Sequence, residues 1–101
     1  MIKKYKIISL LGTTRGNEEL FRKAEIYYTK LGYIVFKPVF YNLEEYNKYK
    51  AMIDEMCEEK LLLCDAVGVV TEHIGESTRN RINQALELGK EVRFFQKEIV
   101  N

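Results

Sequence analysis

The fold can be read from one stretch of sequence, Tyr5-Lys6-Ile7-Ile8-Ser9-Leu10-Leu11-Gly12-Thr13-Thr14-Arg15-Gly16-Asn17. Its first part, 5–11, is a short apolar run that stops at Gly12, which is typical of a strand buried on both faces of a parallel sheet. The polar residues 13–17 predict a turn. From there to Leu31 apolar side chains recur at three- and four-residue spacing, and Gly32 can end the helix that this spacing predicts.

The same alternation of strand and helix continues along the rest of the chain. Three further strand-like segments follow, at 33–36, 65–70 and 91–95. A helical pattern covers 43 to about 60, and Leu61-Leu62-Leu63 is predicted to lead that helix into the sheet. Ser77 or Thr78 is predicted to cap a third helix. The order β-α-β-α-β-α-β is typical of a parallel sheet with right-handed crossovers and helices on both faces. We therefore predict one α/β domain, 1–101, a Rossmann-like or flavodoxin-like three-layer sandwich with four to five parallel strands.

Composition excludes several classes of protein. The 101 residues carry 16 basic and 15 acidic side chains, a net charge of +1, with no basic stripe of the kind that follows a phosphate backbone. Binding to a nucleic acid polymer is therefore not expected. No window approaches the roughly 18 apolar residues of a membrane span, and the first residues lack the pattern of a signal peptide. We expect a cytoplasmic protein without a membrane partner.

The cysteines and the single histidine do not form a metal-binding pattern. Cys57 and Cys64 lie seven residues apart, and His73 is the one histidine. This arrangement is neither a disulfide framework nor a zinc motif, so we predict reduced cysteines that serve packing, and no metal or cofactor. His73 lies in a polar loop, where a solvated side chain or bracing of the loop is expected rather than a role as general base.

Two polar loops are predicted at the carboxyl ends of the strands, where open α/β sheets bind ligands. The first is Gly12-Thr13-Thr14-Arg15-Gly16, in which glycine permits close approach of the backbone, the hydroxyls can form hydrogen bonds, and Arg15 suits an anion. The loop is neither a dinucleotide fingerprint nor a P-loop. The alternative is an ordinary turn between a strand and a helix.

The second loop, Gly75-Glu76-Ser77-Thr78-Arg79, precedes a helix whose first N–H groups lack internal partners and favour negative charge. With Arg79 and Arg81, its hydroxyls would complete a site for a phosphate. The alternative is a plain helix cap with solvated arginines. Three aromatic side chains after the second strand could stack on a base, or could instead serve the core or a dimer interface; they are Phe40, Tyr41 and Tyr46.

Four segments, in this order and spacing, resemble one known family. They are Gly12–Arg15, Leu31–Tyr33 with Pro38, Cys64–Ala66, and Gly75–Arg79 followed by Ile82, Ala85, Gly89 and Lys90. Together they resemble the nucleoside 2-deoxyribosyltransferase-like superfamily, in particular its small phage and bacterial members. The resemblance implies a pocket for a nucleoside or nucleotide, often completed by a neighbouring subunit, and Asp65 matches an aspartate that is expected to support that pocket.

The resemblance also implies a chemistry that this sequence alters. The superfamily uses a glutamate on the first turn of the third helix to attack the anomeric carbon of a nucleoside, which is covalent catalysis at a glycosidic bond. The matching position is Arg81, and a guanidinium stays protonated and cannot act as that nucleophile. Glu76, in the same loop, is the candidate catalytic residue if activity is retained.

Three hypotheses follow. The first is a protein that binds a nucleoside or nucleotide derivative without cleaving it, for example a phage protein that sequesters a signalling nucleotide in bacterial immunity. The second is an active N-glycosidase or 2-deoxyribosyltransferase that acts on nucleosides or nucleoside monophosphates. The third is a partner-binding module that kept the fold and lost the pocket. A homo-oligomer is also expected, because a domain this small gains stability by burying a helix face such as 44–60.

Overall fold

A computed structural model describes residues 3–40 and 42–100; Tyr41, predicted as a stacking residue, lies outside them. Four strands and four helices alternate in this part of the chain: β1 Ile7–Leu11, α1 Glu18–Lys30, β2 Ile34–Phe36, α2 Leu43–Leu63, β3 Ala66–Val69, α3 Glu76–Glu87, β4 Glu91–Phe94 and α4 Phe95–Glu98. The strands form a single parallel sheet in the order β2-β1-β3-β4. The predicted α/β sandwich of Rossmann or flavodoxin type is confirmed.

The strand order places a crevice beside β1. The chain leaves β1 toward β2 on one side of the sheet, and it then returns to build β3 and β4 on the other side. The direction of winding therefore reverses between β1 and β3, which are paired along Ile8–Leu11 and Ala66–Val69. In open parallel sheets this reversal leaves a gap between the connecting loops at the carboxyl ends of the strands.

Each face of the sheet has its own hydrophobic core. On one face, side chains of β1 pack against α1 and α4, and the buried residues there are Ile8, Leu10, Phe21, Ala24, Tyr28, Ala66, Val70 and Phe95. On the other face, Val67 packs against α2 and α3 through Leu61, Cys64 and Ala85. Gly68 makes room for the first core, because a Cβ there would lie 3.1 Å from Ile8 Cδ1 and 3.2 Å from Tyr28 Cε2.

Three local predictions need correction. Leu61–Leu63 are the last residues of α2 and do not form a segment that connects the helix to the sheet. A run of three apolar residues fits a helix as well as a strand. Of these three residues only Leu61 is buried. The third helix begins at Glu76 with Gly75 as its N-cap, so neither Ser77 nor Thr78 caps it. The one-turn helix α4 was not predicted, because it is too short to show a period.

A polar cluster explains why the chain forms α4 directly after β4. Glu98 accepts hydrogen bonds from the Tyr28 hydroxyl at 2.6 Å and from the Arg93 guanidinium, with which it also forms an ion pair. Arg93 also donates to the Tyr33 hydroxyl at 3.0 Å and lies over the rings of Tyr28 and Tyr33. These contacts hold the last turn of the chain against α1.

Replacement of Glu98 by glutamine is expected to lower the free energy of unfolding by about 1.5–3 kcal/mol at neutral pH, because it removes charge-assisted hydrogen bonds from a mostly buried site. Burial alone would raise the pKa of Glu98, but hydrogen bonds from Arg93 and Tyr28 outweigh it and lower that pKa. A depressed pKa in the folded state means that this stabilisation is present above the ordinary pKa of a glutamate and is lost as the pH falls through the folded value.

Urea denaturation at a series of pH values tests this. The loss of stability below the ordinary pKa of a glutamate should be smaller in Glu98→Gln than in the parent chain. If the free energy of unfolding changed with pH equally in the two proteins, the Glu98 carboxylate would not contribute as described. Asp65→Asn should change the pH dependence of stability in the same direction, because the pKa of Asp65 is also lowered, by hydrogen bonds from Lys3 and the Ile7 N–H.

Candidate ligand-binding cleft

A cleft of about 820 Å³ opens at the carboxyl end of β1. Its walls come from the turn after β1, from the segment after β2 with the inner side of α2, and from the first turns of α3. The volume lies within the range of sites that enclose small organic ligands and cofactors. Of the residues predicted to bind a ligand, the structure brings six to this cleft: Gly12, Thr14, Arg15, Ser77, Thr78 and Arg81.

The turn after β1 has a backbone that suits glycine. Gly12 has φ +144°, a region that residues with a Cβ rarely adopt, and a Cβ added there would lie 2.8 Å from Thr71 Oγ1. Thr71 is itself buried; its hydroxyl accepts from the Thr13 N–H at 3.2 Å and donates to the His73 carbonyl at 2.7 Å. The turn is thereby fixed to the loop after β3.

Thr13 and His73 hold the turn after β1 and the loop after β3 together. The Thr13 hydroxyl donates to the His73 carbonyl at 3.3 Å, and the Thr13 carbonyl accepts from the Asn17 amide at 2.9 Å. Thr13 therefore does not line the cleft, although the sequence predicted it as a ligand contact. The backbone of His73 braces the loop, as expected, while its imidazole is exposed.

The first turn of α3 offers uncapped N–H groups to the cleft. Gly75 precedes the helix in an extended conformation, and within the described residues no side chain caps the helix. Ser77 and Thr78 line the cleft beside these groups. Orphan N–H groups at a helix start attract anions. Three other predicted residues of this loop, Gly75, Glu76 and Arg79, are exposed and are not part of the lining.

Arg81 is a largely enclosed cation of the cleft. Its side chain is 17% exposed, and its nearest acidic group is Asp54 of α2, with 3.8 Å between Nη2 and Oδ1. Asp54 is shared with Lys50, whose Nζ lies 3.2 Å from Oδ2. The Nε atom of Arg81 is buried and has no hydrogen-bond partner among the described residues. A buried donor without a partner costs about 1–3 kcal/mol, so an acceptor in the cleft would recover that energy.

Arg81 faces the same side of α3 as the two hydroxyls of the first turn. It follows Ser77 by four residues and Thr78 by three, and residues at these spacings are neighbours on a helix surface. The two hydroxyls and the guanidinium therefore lie on one side of α3, and their residues line the cleft next to the uncapped start of the helix. Such a set of donors suits a phosphate or another anion.

The charges elsewhere in the cleft are mixed. Arg15 is exposed at its rim, and Glu18, Glu19 and Asp54 also contribute to the lining. Sequence reasoning did not single out these carboxylates, because Glu18 and Glu19 look like the ordinary acidic first turn of α1 and Asp54 lies in the middle of α2. Only the packing of the helices brings them to one place.

One wall of the cleft, formed by the segment after β2 and by α2, is rich in apolar side chains. Phe40, Tyr46, Ile53 and Met56 contribute to it. Phe40 is fixed by an edge-on contact with the buried ring of Phe21, with 5.5 Å between ring centroids. Of the three aromatic residues that the sequence suggested for base stacking, two are thus placed at the cleft. The cleft therefore combines apolar side chains with the hydroxyls and the guanidinium of α3.

Asp65 does not join the other predicted residues. As the residue before β3 it lies at the amino end of that strand, whereas the cleft opens at the carboxyl ends. Its Oδ2 accepts from the Ile7 N–H at 2.8 Å and from Lys3 Nζ at 2.5 Å. The carboxylate fixes the segment that enters β1, and its position along the strand explains why it cannot reach a ligand in the cleft.

Comparison with known proteins adds no assignment. No protein-family model matches the chain, and no curated protein matches it. Within residues 3–40 and 42–100, His, Cys, Asp and Glu side chains form no group of three or more that could hold a metal ion. In the same residues, each helix is too short or too polar to cross a membrane.

Proposed function

We propose that the cleft binds a nucleoside or nucleotide derivative that carries a negatively charged group, and that Arg81 is the main contact of that group. The observation that carries the proposal is the buried Arg81 Nε, which lacks a hydrogen-bond partner in the described part of the chain. A phosphate oxygen would accept from this atom, and the uncapped start of α3 supplies further N–H donors beside it.

The apolar side chains of the cleft support the choice of a nucleotide over a simple anion. A free phosphate would fill little of a cleft of about 820 Å³. The apolar and aromatic surface of Tyr46, Ile53 and Met56 suits a flat heterocycle, because such rings gain from burial against apolar side chains. A ligand that carries both an anionic group and a base would use the donors around Arg81 and the apolar side chains of α2.

The resemblance to the nucleoside 2-deoxyribosyltransferase-like superfamily supports the same ligand class. Under that proposal, Arg81 replaces the glutamate nucleophile, so the protein retains the ligand and does not cleave it. Sequestration of a signalling nucleotide, as a phage protein would do against bacterial immunity, is the most specific form of this function. A binding protein of this kind needs no cofactor.

A second function, cleavage or transfer at an N-glycosidic bond, is favoured by one observation. Three carboxylates line the cleft, those of Glu18, Glu19 and Asp54, so a group able to attack an anomeric carbon is present. Glu76, the candidate nucleophile from the sequence, is exposed and lies outside the lining. Measurable release of free base would decide for this alternative.

A thermal-shift panel tests the proposal. It contains nucleosides with their matched 5′-monophosphates, NAD, ADP-ribose isomers and cyclic dinucleotides, and each mixture is checked by liquid chromatography. We expect a phosphorylated member to raise the melting temperature by about 10–20 °C at a free concentration a hundredfold above its Kd, and to be recovered intact. The matched nucleoside should give a much smaller shift.

Each other outcome has a definite meaning. Equal shifts from a nucleoside and its monophosphate would contradict the role of the anionic group. Release of free base would establish cleavage or transfer at an N-glycosidic bond as the function. The absence of any shift across the panel would favour a partner-binding module with no pocket function.

A further inference from the structure

The charges that line the cleft balance one another. Among the described residues, three basic and three acidic side chains contribute to the lining: Arg15, Lys60 and Arg81, and Glu18, Glu19 and Asp54. Their formal charges sum to zero. A site for a polyphosphate is expected to hold an excess of cations, because each phosphate charge that leaves water has to be compensated. The lining therefore favours a ligand that carries little net charge.

Two of the three cations are poorly placed to compensate an enclosed anion. Arg15 is exposed at the rim, where water and salt screen its charge. The ammonium group of Lys60 donates to the Lys37 carbonyl at 3.1 Å, which directs it to the backbone after β2. The side chain of Arg81 is 17% exposed, and its Nε has no hydrogen-bond partner among the described residues. Arg81 is therefore the cation expected to contact the anionic group.

Asp54 lowers the positive potential around Arg81. Its Oδ1 lies 3.8 Å from Arg81 Nη2, and it lines the cleft from α2. Lys50 donates to the other oxygen of Asp54 at 3.2 Å, but the side chain of Lys50 is exposed, so its charge is screened. An anion bound at Arg81 is therefore attracted by the guanidinium and repelled by a carboxylate close to it.

This arrangement distinguishes ligands by the charge of their phosphate. A phosphate monoester carries about −1.5 to −2 charges at pH 7, whereas a phosphodiester carries a single charge. The cost of desolvating an ion rises with the square of its charge, but its attraction to a fixed cation rises only in proportion to that charge. One guanidinium that a carboxylate partly neutralises suits a single negative charge and does not compensate two.

We propose that the cleft selects a nucleotide whose phosphate is a singly charged diester, and that Asp54 sets this preference. The preference rests on the proposed function, because it concerns the same cleft and the same class of ligand. A phosphodiester differs in charge from the terminal phosphate of nucleoside mono-, di- and triphosphates, which the cleft should bind less tightly.

Isothermal titration calorimetry with matched pairs of ligands tests the proposal, at about pH 8, roughly two units above the second pKa of a phosphate monoester. Each pair is a ribonucleoside 5′-monophosphate and its methyl ester, which keeps the base, the sugar and the phosphate and removes one charge. The methyl ester should bind about fivefold or more tightly than the monophosphate. Both should bind more tightly than the nucleoside.

Asp54→Asn removes the repelling charge with little change in shape. It should strengthen binding of the monophosphate more than that of the methyl ester, so the ratio of the two affinities should narrow about threefold or more. Glu55→Gln is the matched control, because it makes the same change at the next residue of α2, which is exposed and outside the lining. It should leave the ratio unchanged. Circular dichroism melting shows whether each variant is folded.

The outcomes separate this proposal from the proposed function. A parent chain that binds the monophosphate as tightly as its methyl ester would overturn the preference for a diester. An Asp54→Asn variant that keeps the parent ratio, or a Glu55→Gln variant that changes it equally, would overturn the role of Asp54. In each of these results a phosphorylated ligand still binds, so the proposed function stands. Absence of binding by every phosphorylated ligand would overturn the proposed function, and the preference with it.

Discussion

Replacement of Arg81 by methionine is expected to weaken binding of the phosphorylated ligand by about 30-fold or more, while the melting temperature without ligand does not fall. Methionine keeps an apolar stem in the wall of the cleft and removes both the charge and the buried Nε donor. Loss of one partner of a buried, charged hydrogen bond commonly costs 2–5 kcal/mol in binding, which corresponds to this loss of affinity. Isothermal titration calorimetry measures it.

Arg79→Met is the matched control, because it removes the same charge from the same helix at an exposed position outside the cleft. Its affinity should stay within a few-fold of the parent chain. If both variants lost affinity equally, the ligand would be responding to the general positive charge of α3 and not to Arg81. Arg81→Glu should abolish binding of the phosphorylated ligand, and the resemblance to deoxyribosyltransferases predicts that it releases free base.

Replacement of Gly12 by alanine is expected to lower the free energy of unfolding by about 2–4 kcal/mol and to weaken ligand binding as well. The new Cβ would occupy a conformation with φ +144° and would lie 2.8 Å from Thr71 Oγ1. Thr71 cannot easily move, because its hydroxyl joins the turn after β1 to the loop after β3. Urea denaturation measures the change in stability.

Gly75→Ala is the control for this substitution. Gly75 is extended, and a Cβ there would meet nothing within 4 Å, so its cost should stay below about 1 kcal/mol. If the two alanine variants were equally stable, the backbone of the turn at Gly12 would not be constrained as described. A Gly12→Ala protein that kept full affinity would show that the turn does not position the cleft.

The sequence predicts the fold well because its signals are local. The apolar run that ends at Gly12 and the helical spacing after it are visible within a few residues, and the structure confirms both as β1 and α1. Leu61–Leu63 were assigned to the wrong element, because three consecutive leucines have no period of their own. The turn of α4 depends on contacts of Glu98 with Tyr28, which is distant in sequence, and with Arg93, which belongs to β4. A local sequence pattern does not show either contact.

The cleft was only partly predictable for a related reason. The two loops that begin at Gly12 and Gly75 lie at strand ends, so topology alone brings them together. The contribution of α2 depends on how that helix packs on the sheet, and no local pattern indicates that Asp54 approaches Arg81. Asp65 was predicted to support the pocket, but it lies at the amino end of β3, away from the cleft. A resemblance at the start of a strand does not show at which end of the sheet the cleft lies.

A crystal structure of the chain with the phosphorylated ligand that gives the largest thermal shift tests the central proposal most directly. The account predicts an intact ligand in the cleft, with an oxygen of its anionic group accepting a hydrogen bond from Arg81 Nε and its base against Tyr46. A ligand bound away from Arg81, or a base and sugar separated within the cleft, would contradict it.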